Sequence, residues 1–286
     1  MGTSSAFGGA SGTTPLVPSW LDSDDEEPDG SVPPDEPSDG QEPEAPVRPP
    51  LPPPGDPARF TAARGNFSRF ARSGGADRAS LGRAVSQYVG TSSGGATGAA
   101  SHMGSSRRAG SRLLGFLGDA VRSGAAAALR TLNLQALAGR PIEEVFLGLI
   151  DYFCPQGGTI DEGIARQAFI ETIAELAQAG VTDLDGLTAD QMQTVFELFV
   201  TNAIEARLCN DIGMNAVILP ADPGEAAQVQ AQLHDFLLRG VADALTVARI
   251  TVQAMTADRA LALVDRVYHE AFSILQSMGD AEAEAA

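Results

Sequence analysis

Thr188-Ala-Asp-Gln-Met-Gln-Thr-Val-Phe-Glu-Leu-Phe-Val-Thr-Asn-Ala-Ile-Glu-Ala-Arg-Leu208 is the stretch on which the fold turns. It opens with threonine and, three residues on, glutamine, the pair that forms a capping box by satisfying two orphan N–H groups at a helix start. Met192, Val195, Phe196, Phe199, Ile204 and Leu208 then return at helical spacing and make one apolar face. The same pattern recurs on both sides. Upstream, Thr159-Ile-Asp-Glu162 is a second box, followed by Ile164, Phe169, Ile173, Leu176 and Ala177 up to a stop at Gly180. Before it, Pro141 opens a helix where its missing N–H does no harm, with Glu143 and Glu144 facing the positive end of the dipole. The core face of that helix is Val145, Phe146, Leu149, Ile150 and Phe153, and Cys154-Pro155 stops it. Downstream, Asp222-Pro-Gly-Glu225 caps a stripe of Val229, Leu233, Phe236, Leu237, Val241 and Leu245. Thr256 begins the last helix, with Leu261, Val264, Val267, Tyr268, Phe272 and Leu275 inward and Gly279 as its end. Leu113, Leu114, Phe116, Leu117, Val121, Leu129, Leu132 and Leu134 supply the first apolar surfaces. No run alternates with period two long enough for a sheet. The reading is an all-α domain over 107–279, long enough to bury roughly 70% of its unfolded surface, and a disordered tail at 280–286.

Ahead of that domain the composition changes twice. All 19 basic residues of the chain are arginine, against 37 acids, a net charge of -18. Residues 1–56 carry 12 acids and one arginine, while 57–112 carry nine arginines and the single acid Asp77. Fourteen of the 18 prolines precede Ala58, so 1–56 reads as a disordered acidic arm with a polyproline spacer at Pro49–Pro54 and a small-residue tip. Within it, Pro18-Ser-Trp20-Leu21 presents the only tryptophan, either an anchor for a partner pocket or a solvent-exposed ring. Residues 57–106 read as a basic connector. Arg59-Phe60, Arg64, Phe67-Ser-Arg69-Phe70 and Arg72 fit one short helix, and Asp77 to Tyr88 a second with Leu81, Val85 and Tyr88 on one face. Their phenylalanines dock on the body or on a protein partner. Arginine interleaved with aromatics is also how single-stranded nucleic acid is gripped, so a nucleic-acid adaptor acting through 59–112 is the alternative. Gly90 to Ser106 reads as a Gly/Ser/Ala linker, with Ser101-His102-Met103 native to the chain.

Catalytic chemistry has little to stand on. Cys154 and Cys209 have no CxxC spacing and sit among apolar neighbours, as small buried thiols do. His234-Asp235 and His269-Glu270 lie beside carboxylates, but their spacing is that of ordinary helical histidines, so no metal and no catalytic residue is expected. A P-loop requires a lysine, and the chain has none. No stretch has the roughly 18 apolar residues of a spanning helix, and no signal peptide opens the chain, so a soluble cytoplasmic protein is expected.

Met1-Gly-Thr-Ser-Ser-Ala-Phe-Gly-Gly-Ala10, Pro15-Leu-Val-Pro-Ser-Trp20-Leu21, Arg59-Phe60, Asn66-Phe-Ser-Arg-Phe-Ala71 and Gly74-Gly-Ala-Asp-Arg-Ala-Ser-Leu-Gly82 resemble the QatB family, a component of the bacterial Qat anti-phage system. The motifs lie in the first 120 or so residues, and the body is similar only in general character. Members of the family often carry Tyr-Gly-Gly-Pro where this chain has Phe7-Gly8-Gly9-Ala10, which keeps the glycine pair. The resemblance implies a non-enzymatic member acting with an ATPase, a QueC-like enzyme and a TatD-like nuclease. It also implies a use for the tip. Removal of Met1 leaves Gly2 with an unhindered α-amine, whose ordinary pKa of roughly 8 keeps a neutral, nucleophilic fraction near pH 7. A QueC-like enzyme activates a 7-deazaguanine carboxylate, so the expectation is an adaptor that accepts a covalent 7-deazaguanine on Gly2 and otherwise binds no cofactor. The other reading of Gly2 is an unmodified end. N-myristoylation is disfavoured because Ala6 stands where that motif wants Ser or Thr. The residues expected to meet partners are Thr3, Ser4, Ser5, Phe7, Gly8, Gly9, Pro18, Trp20, Leu21, Arg59, Phe60, Phe67, Arg69 and Phe70.

Overall fold

Four helix starts among the described residues fall where a side chain caps them. In the computed structural model, which describes residues 58–155, 157–213, 217, 219–248 and 257–285, Asp77 accepts from the Ser80 N–H at 2.9 Å and opens the second helix. Both capping boxes close reciprocally, Thr159 with Glu162 and Thr188 with Gln191. Asp222 accepts from the Glu225 N–H at 2.9 Å. The resulting order is α1 (Thr61–Arg72), α2 (Arg78–Gln87), a π-turn (Tyr88–Ser92), α3 (Gly95–Ser101), α4 (Gly104–Ser123), α5 (Ala125–Thr131), a 3-10 turn (Gln135–Leu137), α6 (Ile142–Phe153), α7 (Ile160–Gln178), α8 (Ala189–Ile212), α9 (Pro223–Ala248) and α10 (Ala257–Glu284). Among the described residues there is no strand, and the fold is all-α.

Two helices organise the packing. α4 touches α5, α6, α7, α8 and α10, while α10 touches α2, α3, α4, α9 and the π-turn. Between α4, α6, α7 and α8 runs a chain of rings, with centroids 5.8 Å apart for Phe116–Phe153, 5.1 Å for Phe153–Phe169, 5.7 Å for Phe146–Phe169 and 6.2 Å for Phe169–Phe199. Edge-to-face pairs of this kind add about 0.5–1.5 kcal/mol each to the burial of the rings. α2 and α10 meet differently, backbone against backbone. A Cβ on Gly82 would stand 2.6 Å from the Gly279 carbonyl, and one on Gly279 would stand 2.5 Å from the Gly82 carbonyl.

The first helical pair docks on the body, one of the two places expected for its phenylalanines, since Phe67 and Phe70 are fully buried and α2 lies on α10. Three other expectations are corrected by this packing. Residues 90–106, read as a linker, instead form the end of the π-turn, α3 and the start of α4, with Ser92, Ser93, Ala99, Ala100, Met103, Ser105 and Ser106 buried. Composition misleads here because small side chains serve a tight helical contact as well as a flexible spacer; α3 packs on α10 with alanine alone. The last helix does not stop at Gly279. It continues to Glu284, because Gly279 is placed for the α2 crossing and not as a cap, and Ser86 and Arg83 then hydrogen-bond Asp280 and the Ala283 carbonyl. Leu261, read as inward, is 46% exposed.

Candidate functional site

An arginine has five N–H donors, and every helix leaves its last four carbonyls without an intrahelical partner. The arginines of 57–112 meet that need across the fold. Arg64 Nε donates to the carbonyl of Ile212, the last residue of α8, at 2.6 Å. Arg112 donates to Tyr152 and Phe153 at the end of α6, at 3.0 and 3.4 Å. Arg83 donates to Ala283 near the end of α10, at 3.4 Å, and Arg59 Nε donates to Ser92, the last residue of the π-turn. From the body, Arg166 adds a bond to Cys154 just past α6, at 3.3 Å. Each places a positive charge on the negative end of a helix dipole. Of the nine arginines, Arg59, Arg64, Arg78, Arg83, Arg107, Arg108 and Arg112 all bond to other parts of the described chain, which leaves Arg69 and Arg72 at the end of α1.

A polar cluster under the π-turn ties the same segment to the body. Tyr88 is fully buried and donates its hydroxyl to Asp211 at 2.9 Å, and burial first, then the Asp211 charge, pushes its pKa well up, so it stays a donor. Arg207 bridges Asp211 at 3.1 Å and Asp161 at 3.3 Å, and Asp161 in turn accepts from the Ser105 N–H at 2.7 Å. Phe60 stacks on Tyr88 with centroids 5.6 Å apart, and Arg59 lies over Phe60. His102 has a buried Nδ1 with no hydrogen-bond partner among the described residues. Burial, then Arg59 and Arg207, lower its pKa, so its imidazole is held neutral. Sequence reading placed Arg59 and Phe60 among the partner contacts and Tyr88 on an apolar face, and passed over Arg207 and Asp211. The i, i+4 spacing of Arg207 and Asp211 was the available signal, whereas Asp161 was hidden inside a capping box.

On the far side, α7, α8 and α9 enclose a groove of about 830 Å³. His234 Nδ1 bonds Glu205 at 2.9 Å, and its Nε2 stands 3.8 Å from Glu175, so each ring nitrogen faces a carboxylate from a different helix. The Glu205 hydrogen bond raises the His234 pKa against the opposing effect of burial, and burial raises that of Glu175. In the sequence, Asp235 and Glu270 are the carboxylates next to the two histidines. For His234 the tertiary partners are the closer ones, while His269 does lie near Glu270, at 3.9 Å and exposed. Burial pushes the thiols of Cys154 and Cys209 up to about 12, and Cys154 donates to the Ala165 carbonyl. Among the described residues no group of three or more His, Cys, Asp or Glu is arranged to hold a metal ion.

Gly2, expected to carry the modification, and, of the residues expected to meet partners, Thr3, Ser4, Ser5, Phe7, Gly8, Gly9, Pro18, Trp20 and Leu21 lie outside the described residues. Phe67 and Phe70 are corrected: both rings are 0% exposed in the core, with no face left for a partner, because α1 needs them to pack on the body. Phe60 is half-buried, Arg59 is tied to Ser92, and Arg69 is exposed. The geometry therefore gives a helical body with its polar residues engaged in holding it together. A family model described as Qat anti-phage system associated protein QatB matches residues 94–275, well over half of the chain. The chain belongs to the QatB family. It is thus a component of an anti-phage defence system. The QatB match falls on α3 to α10, whereas the motifs that carry the resemblance in the sequence lie mainly upstream, on the arm and α1–α2. No curated protein and no solved structure matches the chain. Among the described residues no helix is long and apolar enough to cross a membrane.

Proposed function

We propose that the chain is a non-enzymatic adaptor of its defence system, acting in the cytoplasm, and that its Gly2 α-amine accepts a 7-deazaguanine from a QueC-like partner. The observation that carries this reading is the absence of lysine among the 19 basic residues. Guanidinium groups stay protonated and are poor nucleophiles at any cellular pH. An α-amine exposed at Gly2 is then the one primary amine this sequence offers to an activated carboxylate. The neutral amine displaces the activating group, an amide forms, and one proton leaves. Thr3-Ser4-Ser5, with no bulky side chain, suits entry into a partner's active site, and Trp20-Leu21 suits an anchor beside it. The helical body then serves to hold an ATPase or a TatD-like nuclease of the same system.

The engagement of five connector arginines with the body, Arg64, Arg78, Arg83, Arg107 and Arg112, weighs against the rival nucleic-acid reading, as does the burial of Phe67 and Phe70, which removes two of the stacking rings that reading needs. The test is intact mass after co-expression with the neighbouring components. The expected species lacks Met1 and carries one adduct on the N-terminal peptide, absent when Gly2→Pro leaves a hindered secondary amine. A Gly2→Pro variant that protects cells as well as the parent removes conjugation from the function.

A further inference from the structure

Arg108 and Arg112 stand one turn apart on α4, at the i, i+4 spacing that puts them on one face. Among the described residues neither forms an ion pair within 4.0 Å. Arg108 is exposed and donates to the Ser105 hydroxyl at 3.0 Å, while Arg112 is half-buried and donates from Nη1 to the Tyr152 and Phe153 carbonyls. A guanidinium has five N–H donors, so both keep donors to spare. The two arginines line a cavity of about 200 Å³ where α4 meets α6 and α7, together with Phe153, Pro155 and Glu162. Arg112 also lines a second cavity of about 270 Å³, whose walls include Phe116, Leu132 and Tyr152. The Tyr152 ring is 42% exposed and lies under Arg112, 6.0 Å from the guanidinium carbon. The shared arginine makes one furrow of the two cavities, bordered on α4 from Ser105 to Asp119, about 21 Å at the helical rise. It is separate from the groove of His234.

We propose that this furrow docks an extended segment of a partner protein, with one Asp or Glu side chain between Arg108 and Arg112 and an apolar side chain about three residues away against Phe116, Leu132 and Tyr152. Charge decides the first half of the match. Residues 113–286 carry 24 acids against nine arginines, so two adjacent guanidinium groups without a carboxylate are a local exception, and the fork of an arginine suits a carboxylate bidentately. A polyanion fits less well. Glu162 lines the arginine cavity with its carboxyl held low by the Thr159 N–H and hydroxyl, and Asp119, already paired with Arg122, lines the other. A nucleic acid would bring repeated phosphates against both acids and the acidic body, whereas one carboxylate meets two cations beside one acid. Length decides the second half. A small carboxylic acid would occupy one cavity, but 21 Å is the reach of about six residues of extended chain. The inference rests on the holding role proposed for the body and is independent of what happens at Gly2.

The lysine-free sequence makes the contact addressable. Full-length Arg108→Lys, co-expressed with the neighbouring components and purified as a complex, carries a single side-chain ammonium, which a carbodiimide joins to a carboxylate in contact with it. Peptide mapping is expected to find that lysine coupled to an Asp or Glu of a partner, with an apolar residue about three positions away. The control is Arg239→Lys, exposed on α9, which packs on α1, α8 and α10, and it is expected to give no such product. Arg108→Glu, which loses only the bond to Ser105, is expected to retain several-fold less partner with its melting temperature unmoved. Coupling confined to Glu162 or other acids of this chain, equal coupling from the control, or full retention of the partner by Arg108→Glu overturns the proposal. So does release of the partner by nuclease, which would put a nucleic acid between the two. Failure of the holding role itself looks different: the parent chain then purifies without any neighbour, and the furrow loses its proposed occupant with it.

Discussion

Arg64 and His234 show how differently a side chain can be read from sequence. Arg64 lies in a run of arginines whose composition left a nucleic-acid partner as the alternative reading, yet its acceptor is the Ile212 carbonyl, 148 residues along the chain. No local pattern encodes that distance; only the termination of α8 beside α1 creates the acceptor. His234 was legible as a half-buried helical histidine, and its partners Glu175 and Glu205 were not, because they arrive from two other helices. Their arrangement has a pH signature. A histidine whose folded pKa is raised contributes stability that is complete below the unfolded value, about 6.5, and is lost as pH rises through the folded one. Glu175, also raised in the fold, acts in the same direction above its own unfolded value, since its charged form is the disfavoured one. These two groups are therefore expected to lower the melting temperature as pH rises, Glu175 from about pH 4.3 and His234 from about pH 6.5. In His234→Gln that decline should be shallower. Parallel melting curves across pH check this, and identical slopes in the two proteins would mean that the contact contributes nothing.

At the scale of elements, start signals proved the most legible part of the chain. Thr159, Thr188 and Asp222 each cap the helix that their spacing announces, because a capping box is a local interaction needing no tertiary partner. Ends and linkers were less legible. Gly279 and Gly90–Ser106 carry the residue types of breaks, but small residues have a second use that only packing reveals. The same contrast yields a paired prediction. Gly82→Leu drives a side chain into the Gly279 backbone and is expected to cost at least 1–3 kcal/mol, lowering the melting temperature by several degrees and deprotecting α1 and α2 in hydrogen exchange. Gly163→Ala, on α7 with nothing within 4 Å of the added methyl, is expected to stabilise by about 0.5–1 kcal/mol. Calorimetry on both variants separates close approach from simple helix propensity.

For the whole molecule, the proposed function divides the chain into an arm that acts and a body that carries the stability. Deleting residues 2–21 is expected to leave the melting transition unmoved, since that stretch has no apolar run able to offset its backbone entropy, and to abolish protection against phage by removing Gly2 and Trp20. A lowered transition in that deletion would place part of the arm in the core. The all-α class was readable from periodicity. The extent of the core was not, because α1 packs on α2, α8 and α9, and α2 lies across α10, and no local pattern encodes contacts between helices so far apart in sequence. That crossing also sets a clock. Gly82 and Gly279 are 197 positions apart, so at a synthesis rate of about 5–20 residues per second the partner of α2 emerges roughly 10–40 s after it. During that interval the first helices wait beside the ribosome without their main contact surface, while the N-terminus is already outside and open to processing. On the proposed function, conjugation at Gly2 is then expected to be open before the body has closed.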